Sequence, residues 1–233
     1  MLKVEELGIG LGAIWADSDN EWQQGVFLSG AFGTMNSVRW WQRRNRLSIE
    51  GTVLGQLIVL KDVANRLEKA GIPYMITGSL AMNYYAQPRM TRDVDLVVDL
   101  DNAGAELFVE LFSEDYYISR EAVAAAIANR SMFNVIHLGE TLKVDMIVRK
   151  DTPYRCLEFK RRKLVNLEGS NLYIVSAEDL VLSKLEWLKD SRSEVQQRDV
   201  RNLLDSVPGI DETYLGEWAE KLGLDELLDE ARS

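Results

Sequence analysis

Three aspartates, a glycine–serine pair and one lysine are the residues whose types and spacing could do chemistry in this chain. Asp93 and Asp95 flank Val94 in the run Asp93-Val94-Asp95-Leu96. In a strand, alternate side chains share a face, so both carboxylates point one way while Val94 and Leu96 enter the opposite layer. Like charges held together repel, and aspartate is depleted in strands, so the pair requires either free solvent or a cation between the groups. Magnesium satisfies it, being a hard ion that takes carboxylate and phosphate oxygens together. Asp145 lies inside Leu142-Lys143-Val144-Asp145-Met146-Ile147-Val148, where Val144, Met146 and Val148 form the face opposite to it. The pattern is that of a buried strand bearing one acid. Beside the Asp93 strand, Asp145 would complete a metal site and help deprotonate an acceptor hydroxyl.

Gly78-Ser79 falls where a short apolar strand gives way to a helix, a junction at which unpaired amide N–H groups and the helix dipole favour an anion. Glycine permits close backbone approach, and the Ser79 hydroxyl can donate to a phosphate oxygen. Gly-Ser before a helix is common as a plain turn and cap; its place ahead of the paired acids is what gives it weight. Lys184 falls in the arc of Leu180, Val181, Trp187 and Leu188 on its helix. Two readings stay open, a long stem passing the core edge to water or a cation reaching a triphosphate. Arg198 and Asp199 pair with each other or with Lys184; Arg198 is a candidate nucleotide contact.

The elements that must position these groups follow from periodicity and breakers. Apolar residues at helical spacing from Leu57 to Ala70 end at Gly71 and Pro73. Tyr74–Thr77 and Asp93–Leu100 read as strands around a helix from Leu80 to Ala86. Helices follow at Ala103–Phe112 and Arg120–Asn129, then a hairpin of Phe133–His137 and Leu142–Val148 about Gly139-Glu140. A further strand pair surrounds Gly169-Ser170-Asn171. Beyond Ser176 the pattern is helical, with Ser176 and Asp179 in capping-box positions and a break near Pro208-Gly209. The expected organisation is an extension of unassigned structure over 1–50, a catalytic domain over 51–175 and a helical region over 176–233. The glycines of Gly8-Ile9-Gly10-Leu11-Gly12 lack the spacing and the preceding strand of a dinucleotide loop, and that reading is rejected.

Composition narrows the class. No stretch approaches the roughly 18 apolar residues of a membrane span, no secretory signal is evident, and the single cysteine, Cys156, has no partner for an internal disulfide. The expectation is a soluble cytoplasmic protein without a membrane role. A net charge of −10 argues against blanket phosphate neutralisation as a mode of nucleic-acid binding. The basic clusters Arg39–Arg46 and Lys160–Lys163 read as solvated faces first and as RNA docking surfaces second. His137 reads as hairpin packing, and Trp40, Trp41, Tyr84 and Tyr85 as core or interface.

With Gly78-Ser79, Asp93-Val94-Asp95-Leu96 and Asp145 in place, the chain resembles the DNA polymerase beta nucleotidyltransferase superfamily over residues of about 55 to 150. Thr91-Arg92-Asp93-Val94-Asp95-Leu96, Lys184 and Arg198-Asp199 are similar to the AbiEii-like group, which includes toxins of type IV toxin–antitoxin systems. The resemblance implies an α+β catalytic domain with a mixed sheet flanked by helices and a C-terminal helical region. It also implies two magnesium ions, with manganese able to substitute, in-line attack on the α-phosphate of a nucleoside triphosphate, and pyrophosphate release. By the same resemblance Asp93 and Asp95 bind metal, Asp145 is the third acid, and Lys184 contacts phosphates. The phosphate loop departs from the toxin group, Ser79 standing where a second glycine is usual. The leading expectation is nucleotidylation of a tRNA or protein hydroxyl, with a toxin and its antitoxin partner as one form of it. The alternatives are an aminoglycoside-like small-molecule acceptor and a non-catalytic nucleotide-sensing protein.

Overall fold

The computed structural model of the chain describes residues 9–12, 25–28, 55–89, 91 and 93–233. The chain divides into two compact units, Met1–Gly51 and Thr52–Ser233. In the first, β1 (Ile9–Gly12) pairs antiparallel with β2 (Gly25–Leu28), Ile9 opposite Leu28 and Gly12 opposite Gly25. Most of the Gly8–Gly12 run is therefore strand.

The second unit begins with α1 over residues 55–69, stopped by Gly71 in the left-handed region at φ 67°. Then come β3 (Tyr74–Thr77), α2 (Gly78–Tyr85), β4 (Val94–Val98), α3 (Ala105–Phe112), β5 (Tyr116–Tyr117), α4 (Arg120–Asn129), β6 (Met132–His137) and β7 (Leu142–Val148). They are followed by α5 (Pro153–Lys160), β8 (Lys163–Leu167), β9 (Ser170–Ile174), α6 (Ala177–Ser191), α7 (Glu194–Ser206), α8 (Glu212–Leu222) and α9 (Asp225–Arg232). Seven strands form one mixed sheet in the order β5-β6-β7-β4-β3-β9-β8, parallel at β7/β4 and β3/β9 and antiparallel elsewhere. This is the α+β architecture expected, a mixed sheet with helices and a helical C-terminal region.

Strand alternation sets the two faces. Val94, Leu96 and Val98 on β4 and Val144, Met146 and Val148 on β7 are fully buried, and Phe108 of α3 meets Phe133 of β6 edge to face at 5.2 Å on the same side. Side chains of Asp95 and Asp145 point to the other face. The hairpin turn between β6 and β7 is closed by His137, whose Nδ1 accepts from the Glu140 N–H at 2.9 Å while its ring packs on Tyr116.

The boundaries differ from expectation at instructive points. Helix α2 starts at Gly78, two residues before Leu80, and α5 was not foreseen at all. Its signals are local: Thr152 caps by accepting from the Arg155 N–H, and Pro153 sits at the first helical position, where a missing N–H costs nothing. The C-terminal region breaks at Pro208-Gly209 as expected, and also at Arg192, in the left-handed region at φ 48°, and at Gly223. Ser176 caps α6, accepting from the Asp179 N–H at 3.2 Å and donating to its carboxylate at 2.7 Å. Among the described residues no helix is long and apolar enough to cross a membrane.

Candidate active site

The pairing of β4 with β3 on one side and β7 on the other sets Thr77, Asp95, Asp145 and Asn134 in one row across the sheet. Residues opposite one another in neighbouring strands share a face, about 5 Å apart. Asp95 and Asp145 are therefore side by side by register. Asp145 is only 6 % exposed, Asp95 is half-buried, and Asp93, one residue ahead of β4, is exposed. Burial is the largest influence on the Asp95 carboxyl, and with the charges of Asp145 and Asp93 it pushes the pKa up to about 6, against a hydrogen bond from the Ser79 backbone N–H.

Gly78 shapes the opposite wall. Its φ is 63°, and a Cβ built there would lie 2.1 Å from Asp95 Oδ2. Any side chain would collide with the carboxylate as well as adopt an unfavourable backbone conformation. The glycine is needed so that the start of α2 can close on Asp95, presenting the Ser79 N–H to it.

Lys143 shares the acidic face because it precedes Asp145 by two positions in the same strand. Its Nζ donates to Asp145 Oδ2 at 2.8 Å and lies 3.8 Å from Asp93 Oδ1. The bond to Asp145 holds the Lys143 ammonium above its usual pKa. The sequence reading missed this residue, although the alternation that placed Asp145 also placed Lys143.

A second charged group approaches from the helical region. Lys184 is 4 % exposed, donating to Asp199 Oδ2 at 2.7 Å and to Gln196 Oε1 at 3.2 Å. Burial pulls its pKa below the ordinary lysine value while Asp199 pulls the other way, and Asp95 is close enough to contribute. Asp199, 1 % exposed, also takes Arg89 side-on, Nε to Oδ1 at 3.0 Å and Nη2 to Oδ2 at 3.0 Å. Burial raises the Asp199 pKa, but Arg89 and Lys184 together hold it below the normal carboxylate range. Arg89 Nη2 also donates to Ser79 Oγ at 2.8 Å.

Lys184 thus belongs to a buried ion-paired cluster, and does not snorkel to water. The apolar arc drawn around it was too wide, since Trp187 is 62 % exposed. Asp199 pairs with Lys184 as expected, whereas Arg198 is exposed and stands outside the cluster, with no hydrogen bond or ion pair among the described residues. Arg89 was missed because it lies in a loop, where periodicity gives no signal. The Lys160–Lys163 cluster is half structural: Arg161 bonds Asp179 at 2.9 Å and stacks on Tyr214 at 3.8 Å, and Arg162 lies over Phe159 and Tyr173. Tyr85 donates to the Val175 carbonyl and Tyr84 is exposed, while Trp40, Trp41, Arg92 and the Arg39–Arg46 cluster lie outside the described residues.

The residues present fit a divalent cation. The donor set is all carboxylate, Asp145 Oδ1 is buried without a hydrogen-bond partner, and the Asp95 pKa is pushed up by burial and then by the charges of Asp145 and Asp93. Among the described residues no three acids close to ion-holding distance as they stand, Lys143 Nζ lying between Asp93 and Asp145. An ion held by Asp93 and Asp145 together would require the lysine to withdraw along its flexible stem.

Comparison with known proteins puts this geometry in context. Residues 59–182, just over half of the chain, match the family model of aminoglycoside-2''-adenylyltransferase. No curated protein sequence matches. Solved structures with a related fold include an antigenic nucleotidyltransferase-like protein from Paracoccidioides brasiliensis, at 20% identity over 75% of this chain and 92% of that one, TM-score 0.44. The antibiotic-resistance factor ANT(2'')-Ia is 13% identical over 78% and 92% of the two chains, TM-score 0.47. The lincosamide antibiotic adenylyltransferase LnuA, solved with lincomycin bound, is 12% identical over 64% and 94%, TM-score 0.42.

Proposed function

The chain belongs to the aminoglycoside-2''-adenylyltransferase family of nucleotidyltransferases, and from that premise we propose that it moves a nucleoside monophosphate from a nucleoside triphosphate to a hydroxyl of a small molecule. The observation that carries the reading is the register of Asp95 with Asp145 beside the Gly78-Ser79 turn, which sets two acids and an anion-accepting helix start around one point. Magnesium, held by Asp93, Asp95 and Asp145, would neutralise the triphosphate and acidify the attacking hydroxyl. Asp145 accepts the proton of the acceptor through its unpartnered Oδ1. Ser79 and the α2 amides receive phosphate oxygens, and Lys184 adds positive charge on the side of the helical region.

Adenosine is the nucleoside proposed and a polyhydroxylated amine of the aminoglycoside type the acceptor, both taken from the family. A tRNA or protein acceptor, as for an AbiEii-like toxin with an antitoxin, has less support. Two of the four residues in the one described basic cluster, Arg161 and Arg162, are committed to intramolecular contacts.

The test is incubation with magnesium and each of the four common nucleoside triphosphates, first with an aminoglycoside panel and then with cellular RNA and protein. Expected are pyrophosphate release and a nucleotidylated small molecule by mass spectrometry, strongest with ATP and reduced at least 100-fold in Asp95→Ala. Label in a polymer with none in the small molecules would move the acceptor to the macromolecular class. Release that is unchanged in Asp95→Ala would remove the proposal.

A further inference from the structure

We propose that Arg89 is a positioning residue for the nucleotide, acting through the Ser79 hydroxyl; the inference rests on the nucleotidyl-transfer reading above and adds to it a residue outside the acid set.

The segment between α2 and β4 would ordinarily be a free surface connection. Here both backbone groups of Arg89 are gripped by one side chain: Asn83 Oδ1 accepts from its N–H at 2.9 Å and Asn83 Nδ2 donates to its carbonyl at 2.9 Å. A second amide grips the same segment from α7, Asn202 donating to the Gln87 carbonyl at 3.2 Å and accepting from its N–H at 3.4 Å. The loop is thus tied to α2 on one side and to α7 on the other. Between these two ties the Arg89 guanidinium is aimed by the side-on pair with the fully buried Asp199. A guanidinium held by its backbone and by a bidentate carboxylate loses most of its rotamer freedom before any ligand arrives.

Its contact with Ser79 gives that rigidity a use. Arg89 Nη2 donates to Ser79 Oγ at 2.8 Å. A hydroxyl has one proton to give and lone pairs to accept with, so once a lone pair is taken by the guanidinium, the O–H is turned away from Arg89. No acceptor for that proton is found among the described residues. At the mouth of α2, beside Gly78, it is directed to where a phosphate oxygen binds a helix N-terminus. Asp199 holds Lys184 with the same carboxylate, so one buried acid orders two cations, one acting through the phosphate loop and one from α6.

The reading predicts coupling between Arg89 and Ser79 in nucleotide binding. The measurement is the affinity of the full chain for a fluorescent, non-hydrolysable ATP analogue with manganese, for the parent, Ser79→Ala, Arg89→Gln and the double variant, with a thermal melt of each. Each single variant is expected to weaken binding about tenfold, and the double variant no more than about twofold beyond the weaker single, because both remove the same oriented hydroxyl. Arg89→Lys, which keeps a charge but loses the fork, should recover only part of the affinity. If the two single effects multiply in the double variant, or if Arg89→Gln lowers the melting temperature while leaving affinity intact, Arg89 is a structural ion-pair partner only. Ser79→Ala keeps the Arg89–Asp199 pair, so it stays informative if Arg89→Gln fails to fold. A parent chain that binds no nucleotide with manganese would overturn the parent reading, and the inference with it.

Discussion

Asp95 carries the electrostatic conflict on which the site turns. It is half-buried beside two other carboxylates and against Gly78, and its pKa of about 6 stands above the ordinary 3.8. Between those values the metal-free folded chain binds more protons than the unfolded chain, so stability falls as pH rises through the window and the loss is complete above it. The size of that loss is on the order of 2–3 kcal/mol. Asp95→Asn keeps an oxygen to accept from the Ser79 N–H while removing the charge. In a chelating buffer at pH 7.5 it is expected to be more stable than the parent by that amount in urea denaturation, with the difference shrinking by pH 5, and to be inactive. Equal stability of the two at both pH values would mean that neither burial nor the neighbouring acids penalise the Asp95 charge in the folded chain. The same conflict is why divalent ions should stabilise the parent and not the variant.

At the scale of elements, α6 is where the helical region is fastened to the sheet. Its first turn holds Asp179, fully buried, which accepts from Ser176, Arg161 and Tyr214, while the Arg161 guanidinium lies over the Tyr214 ring. Arg161→Ala would leave a buried carboxylate short of its counter-charge and is expected to cost about 2–3 kcal/mol, allowing for the partial exposure of the arginine. Lys160→Ala and Lys163→Ala, at exposed positions, should stay within about 0.5 kcal/mol of the parent. Equal effects from all three would show the cluster to be a solvated face throughout. What the sequence disclosed at this scale followed the strength of its local signals. The alternation in β4 and β7 placed Asp95 and Asp145 and the faces of their strands, whereas Asp93, expected in the same strand, lies one residue ahead of it, and Ser176 and Gly71 marked helix ends through a cap and a stop. Helix α5 escaped because Tyr154, Leu157 and Phe159 make a short, interrupted stripe among charged residues, so that only its cap and proline announced it. Lys143 was within reach of the same alternation. Arg89 was not, because nothing in a loop's residue types says which helix across the chain will hold it; its partner Asp199 is 110 residues away.

Across the whole second unit, the chain brings residues from five segments to one place: the α2 turn, the loop at Arg89, β4, β7, and the α6–α7 pair. None of these segments could present its charge alone. Asp95 and Asp145 need the sheet register to hold them side by side, and Lys184 needs the Asp199 carboxylate, shared with the half-buried Arg89, to offset its burial. Metal, nucleotide and acids are therefore expected to form one binding unit. The most direct test is a manganese titration by paramagnetic resonance with a non-hydrolysable ATP analogue present, comparing the parent with Asp95→Ala and Asp145→Ala. Two ions per chain in the parent, with the sites lost or weakened at least 100-fold in each variant, is the predicted result. Nucleotide bound equally well in a chelating buffer, or manganese held undiminished without either aspartate, would contradict it.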